Sequence, residues 1–153
     1  MSTQTATLTG QDVGEAEGAL TGLLERVLDG TKSGLTRAEY ITLRVVAAGE
    51  HVESAAALHA YLADQPQLGL NESEIAAVLR RLEARGLITP SGVDAPGPAA
   101  LTQTGAGLLA RVTEAVMTVT RRLYAELDPG DLATAHNVLA ALTQRARRMR
   151  EEL

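Results

Sequence analysis

The stretch Leu79-Arg80-Arg81-Leu82-Glu83-Ala84-Arg85-Gly86-Leu87-Ile88 closes a helix and opens a different kind of structure. Upstream of it, Asn71 with Glu74 three residues on forms a capping box, in which two side-chain oxygens satisfy backbone N–H groups left free at a helix start. Ile75, Val78, Leu79 and Leu82 then recur at steps of three and four, the spacing of one buried stripe. Gly86 falls where such a helix needs a left-handed residue to end. Beyond it, residues 87–89 and 99–101 read as two short strands around 91–98, whose Gly, Pro and Asp content cannot continue a helix. A helix followed by a small β-hairpin is expected.

Moving outward, Thr36 with Glu39 repeats the capping logic and opens a helix to about Ala48 that buries Tyr40, Leu43, Val46 and Ala47. A third helix over 53–63 turns Ala55, Leu58 and Leu62 inward, and Pro66 and Gly69 mark the loop after it. Residues 1–10 are small and polar and read as a disordered tail. Val13, Ala16, Leu20, Leu23 and Val27 then form the stripe of a first helix ending near Gly30. Gly30-Thr31-Lys32-Ser33-Gly34 contains residues of a phosphate loop in the wrong order and after a helix, so it reads as a linker.

On the other side, Thr102 caps a long fifth helix with Leu108, Val112, Val116, Val119, Leu123 and Leu127 on one stripe, stopped at Asp128-Pro129-Gly130. The last helix carries Leu132, Ala135, Leu139, Leu142, Ala146, Met149 and Leu153 at alternating steps of three and four, a heptad seam suited to packing along another helix. A chain of 153 residues covers only part of these stripes by itself, and pairing them with a second copy is the economical solution. A homodimer is expected.

Composition narrows the function. The chain lacks Phe and Trp and has only three tyrosines, so its core is built from aliphatic residues, which favours helix-on-helix packing. Without cysteine there is no disulfide, thiolate ligand or thiol nucleophile. His51, His59 and His136 are scattered with no metal-ligand spacing, and no Ser, His and Asp grouping or paired carboxylates stand out, so neither a metal, a cofactor nor an enzymatic activity is expected. No run approaches the roughly 18 apolar residues of a membrane span, which points to the cytoplasm. A formal charge of −5 excludes a grip on nucleic acid by bulk positive charge, leaving local patches. The cluster Arg145, Arg147, Arg148 and Arg150 complements a helix C-terminus and pairs with Glu151 and Glu152 on the simpler reading.

The order helix, turn, helix, glycine, hairpin and long helix resembles the MarR family of bacterial winged helix-turn-helix regulators. The resemblance spans about residues 12–150. It rests on Leu35-Thr36-Arg37-Ala38-Glu39-Tyr40 at the second-helix start, on the opening stretch quoted above, and on Leu101-Thr102-Gln103-Thr104-Gly105 at the post-wing helix. It implies a mainly α fold in which a winged helix-turn-helix over 35–102, with a small two-stranded β wing, is flanked by dimerisation helices over 11–34 and 103–153 in one domain. It also implies a recognition helix in the major groove and a regulator, most often a repressor, acting as a homodimer on a pseudo-palindrome of double-stranded DNA.

On a helical wheel, the direction opposite Ile75, Leu79 and Leu82 holds Ser73, Ala77, Arg80 and Ala84, flanked by Ala76 and Arg81. Arg80 and Arg81 suit guanine edges or phosphates, Ser73 a phosphate or base, Ala76 and Ala77 thymine methyls, and Glu72 a cytosine amino group. Arg37, at the second-helix start, completes the candidate DNA-binding set. The chain departs from the family at Ala76 and Ala77, where a polar residue and an arginine are common, and in the wing, where Val93-Asp94-Ala95-Pro96-Gly97-Pro98 has no arginine. An alternative is therefore a winged-helix dimer with weakened DNA binding that acts through a protein partner. By the same resemblance, Tyr40, Arg44 and Tyr124 line a cleft for a small phenolic or anionic ligand, whereas by its periodicity alone Tyr40 is a core residue.

Overall fold

Helix starts follow the polar punctuation of the sequence. The computed structural model describes residues 7–90 and 97–153, and among these it forms α1 (Gly10–Gly30), α2 (Arg37–Ala48), α3 (Ala55–Ala63), α4 (Glu72–Ala84), α5 (Gln103–Tyr124) and α6 (Pro129–Glu152). The expected capping boxes form at Thr36 with Glu39 and at Asn71 with Glu74. A third, Thr9 with Asp12, starts α1 at Gly10, inside the segment expected to be a tail; residues 1–6 lie outside the described part. Ser54 accepts from the Ala57 N–H, so α3 starts at Ala55 and not at Glu53. Asp128 accepts from Gly130 and Asp131 with Pro129 in the first turn, which restarts the chain as α6.

The chain divides into two compact units, Met1–Met117 and Thr118–Leu153. In the first, Leu43, Val46, Leu58, Leu62, Ile75, Leu79, Leu82 and Val112 are buried together, joining α2, α3, α4 and the first half of α5. Ala47, expected inside, is exposed, and α2 buries Glu39 and Thr42 in addition to its apolar stripe. On α1 the buried residue is Leu28, with Leu24 packed beside it, while Leu20 and Leu23 of the expected stripe stay 45% and 36% exposed. The α1 to α2 linker is an ordered turn: Lys32 and Gly34 take positive φ of 53° and 70°, and the Leu35 N–H donates to Ser33 Oγ at 3.2 Å.

Gly86 has the expected left-handed φ of 67°. Its N–H donates to Glu83 O at 2.8 Å and that of Leu87 to Leu82 O at 3.0 Å, which together make a Schellman ending for α4. Among the described residues no strand ladder forms, only one antiparallel bridge between Ile88 and Leu101. The backbone groups explain this. The Ala99 N–H donates to Val52 O at 2.9 Å, the Ala100 N–H to the Thr89 hydroxyl at 3.0 Å, and Pro90 has no N–H to extend the pairing. The expected wing tip over 91–96 lies outside the described residues.

The second unit comprises the last turns of α5 and all of α6. No residue of α6 is buried, and its Leu139, Leu142 and Met149 are 43%, 48% and 57% exposed. α5 ends at Tyr124, before Leu127, whose N–H closes a turn onto Tyr124 O.

Candidate nucleic-acid interface

Helix α4 is amphipathic in the sense expected. Ile75, Val78, Leu79 and Leu82 are buried, Glu72, Ser73, Arg80 and Arg81 are exposed, and Ala76 and Ala77 are half-buried at the edge of the open face. Two acidic residues, Glu72 and Glu74, stand in its first turn, where they complement the helix dipole. Positive charge on the exposed side of α4 therefore comes from Arg80 and Arg81, beyond this acidic first turn.

Arg81 does not extend freely. Its Nε donates to Glu39 Oε1 at 2.8 Å, with the Glu39 side chain 4% exposed and that of Arg81 53% exposed. Two further arginines fix the same corner through backbone carbonyls. Arg85 Nη2 donates to Ser33 O at 2.7 Å, tying the end of α4 to the α1 to α2 turn, and half-buried Arg37 donates through Nη1 to Gln67 O at 2.8 Å, tying α2 to the loop before α4. The structure thus brings Arg81 together with Glu39 and engages Arg37 in the fold. The sequence reading took Glu39 only as a capping residue and gave Arg85 no role; the signal available for the Glu39 contact was its place beside Tyr40 on the inward side of α2.

Of the ligand candidates, Tyr40 is 2% exposed within the core and the Arg44 guanidinium lies 5.8 Å from its ring centroid, a cation–π contact. Tyr124 belongs to the second unit and is 41% exposed. A cavity of about 260 Å3 opens elsewhere in the first unit, between Ile41, Arg44 and Val45 of α2 and His51, Tyr61 and Gln67. His51, held at a φ of 60°, stacks on Tyr61 with ring centroids 4.3 Å apart and planes 8° from parallel. Of the three candidates Arg44 lines this cavity, whereas His51 and Tyr61 carried no pattern in the sequence that would have joined them.

This arrangement of helices, turn and long flanking helices is the fold of MarR family transcriptional regulators. Among solved structures the chain is similar to a MarR family regulator from Silicibacter pomeroyi, with 19% identity, a TM-score of 0.67, and 89% of this chain and 91% of that chain covered. It is also similar to a Mycobacterium tuberculosis MarR family protein in complex with DNA, with 23% identity, a TM-score of 0.64, and 90% and 98% covered. A complex of the Mycobacterium tuberculosis protein with p-aminosalicylic acid matches at 24% identity and a TM-score of 0.63, with 89% and 99% covered. No protein-family model and no curated protein sequence matches the chain.

Proposed function

We propose that this chain is a transcription regulator, a repressor by preference, that binds double-stranded DNA as a homodimer in the cytoplasm. The observation that carries the reading is α4, which offers Ser73, Arg80 and half of the Arg81 side chain on an open face while its other face is buried in a helix-turn-helix of MarR type. Its N-terminal residues would enter the major groove, with phosphate contacts setting the register and base contacts the sequence. The bare stripes of α6 and of Leu20 and Leu23 on α1 support pairing with a second copy, which would place two recognition helices on a pseudo-palindrome. The cavity beside Arg44, which Glu50 also lines, offers a cation to a small phenolic or anionic effector, and a solved structure of similar fold holds p-aminosalicylic acid.

Fluorescence anisotropy of the full chain with duplex from upstream of its own gene, against a random duplex over a salt series, tests this reading. Selective binding that weakens steeply with salt is the expected result, and Arg80→Ala should shallow the dependence by about one phosphate contact. Equal binding to both duplexes at low salt would overturn it in favour of a winged-helix dimer that works through a protein partner, a reading the net charge of −5 favours.

A further inference from the structure

An arginine can be held by one edge and still recognise a ligand with the other, because its planar guanidinium carries five N–H donors in a fixed fork. Arg81 is held in this way. Its Nε is bonded to Glu39 Oε1, while the other carboxylate oxygen, Oε2, accepts the backbone N–H of Thr36 at 3.1 Å. The Glu39 N–H in turn donates to Thr36 Oγ1 at 3.2 Å, so the capping box fixes the carboxylate from behind. Both oxygens are thereby occupied and the group is almost wholly removed from water. It has one orientation, and it transmits that orientation across 42 residues of sequence to the exposed face of α4.

We infer that Glu39 is a positioning residue for DNA recognition: it pins Arg81 through Nε and so presents the Nη1 and Nη2 edge to a phosphate or a guanine. The inference rests on the reading of α4 as the DNA-contacting helix. Because Glu39 offsets much of the charge of Arg81, this arginine contributes through the direction of its donors more than as a point charge, in contrast to exposed Arg80. Two conservative replacements therefore fail for different reasons. Lysine at 81 has one compact ammonium group, which either stays with Glu39 or leaves it for the DNA. Glutamine at 39 has one acceptor oxygen for two donors, the Thr36 N–H and the Arg81 Nε–H.

The test compares wild type, Glu39→Gln, Arg81→Lys, Arg81→Ala and the double variant Glu39→Gln/Arg81→Ala as full-length proteins. Anisotropy is measured with the upstream and random duplexes, and thermal unfolding is followed in parallel. Arg81→Lys, which keeps the charge at an exposed site, should lose selective affinity about as far as Arg81→Ala, roughly tenfold, the low end for one bidentate contact. Glu39→Gln should lose a similar factor on the upstream duplex and almost none on the random one, and add nothing in the Arg81→Ala background. Arg81→Lys binding as wild type does, or losses that multiply in the double variant, would overturn the positioning role. If Glu39→Gln proves too unstable to assay, Arg81→Lys against Arg81→Ala decides alone. A wild-type chain with no preference for either duplex would overturn the DNA reading itself, and with it this inference; selective wild-type binding with a neutral Arg81→Lys overturns only the role of Glu39.

Discussion

Gly105 approaches the backbone of Leu87 so closely that a Cβ on it would stand 1.9 Å from the Leu87 carbonyl oxygen and 2.8 Å from the carbonyl carbon. Neither atom can swing aside, since both belong to the chain leaving α4. The contact is reinforced by Thr102, whose N–H donates to the same Leu87 oxygen at 3.1 Å and whose hydroxyl bonds Gly86 O while accepting the Gly105 N–H. Gly105→Ala should therefore destabilise the fold by about 1–3 kcal/mol, the range for forced overpacking. Gly107→Ala, two residues along the same helix with open space at its Cβ, should be neutral or stabilise by up to about 1 kcal/mol. Chemical denaturation of both variants checks the contrast, and equal stabilities would refute the close approach.

Thr42 is a polar residue in an apolar place. Its side chain is 1% exposed and its hydroxyl has no hydrogen-bond partner among the described residues. Replacing the hydroxyl by a methyl removes an unsatisfied group at nearly constant shape, so Thr42→Val should raise stability by about 1 kcal/mol. A loss in urea unfolding would show instead that the hydroxyl is bonded in solution.

No residue of the α6 heptad seam is buried. A glutamate at Leu139 or Leu142 should then leave the helix-turn-helix folded but shift the chain from dimer to monomer in sedimentation velocity, with selective DNA binding lost as a consequence. Unchanged sedimentation of Leu139→Glu/Leu142→Glu would remove α6 from the interface.

Acid should loosen the start of α1. The Thr9 hydroxyl and backbone N–H donate to Asp12 Oδ2 at 2.6 and 2.7 Å and hold its carboxyl below the usual 3.8. A carboxyl lowered in the folded state supports it above the unfolded pKa and ceases to do so as the pH falls through the folded value. The first turn of α1 should thus keep its cap down to about pH 3.8 and fray below it. An NMR titration of the Asp12 carboxyl carbon checks this, and Thr9→Ala should move the midpoint upward.

What the sequence made legible was local. The caps at Thr36, Asn71, Thr102 and Asp128, the glycine stop at Gly86 and the inward stripe of α4 each depend on residues within about one helical turn, and all were readable. On α1, spacing did not mark Leu24 and Leu28 as the residues packed within the chain, because their stripe has the same period as the one through Leu20 and Leu23, which stays exposed. At the expected hairpin the described residues form one antiparallel bridge, and the Ala99 N–H is taken by Val52, 47 positions upstream, which no local spacing announces. The open face of α4 followed from its periodicity, but the Glu39 to Arg81 bond and the stacking of His51 on Tyr61 bring together residues that no local pattern links.

The corner where α2 meets α4 is fastened and charged by arginine throughout, and the chain as a whole contains thirteen arginines and a single lysine. Guanidinium groups stay protonated at any pH the protein meets and offer no nucleophilic amine. Lysine acetylation and amine-directed reagents accordingly have no target on the α4 face. The one side-chain amine, Lys32, stands in the left-handed turn between α1 and α2, which makes it a ready point for attaching a single fluorophore without altering the charge of the α4 face.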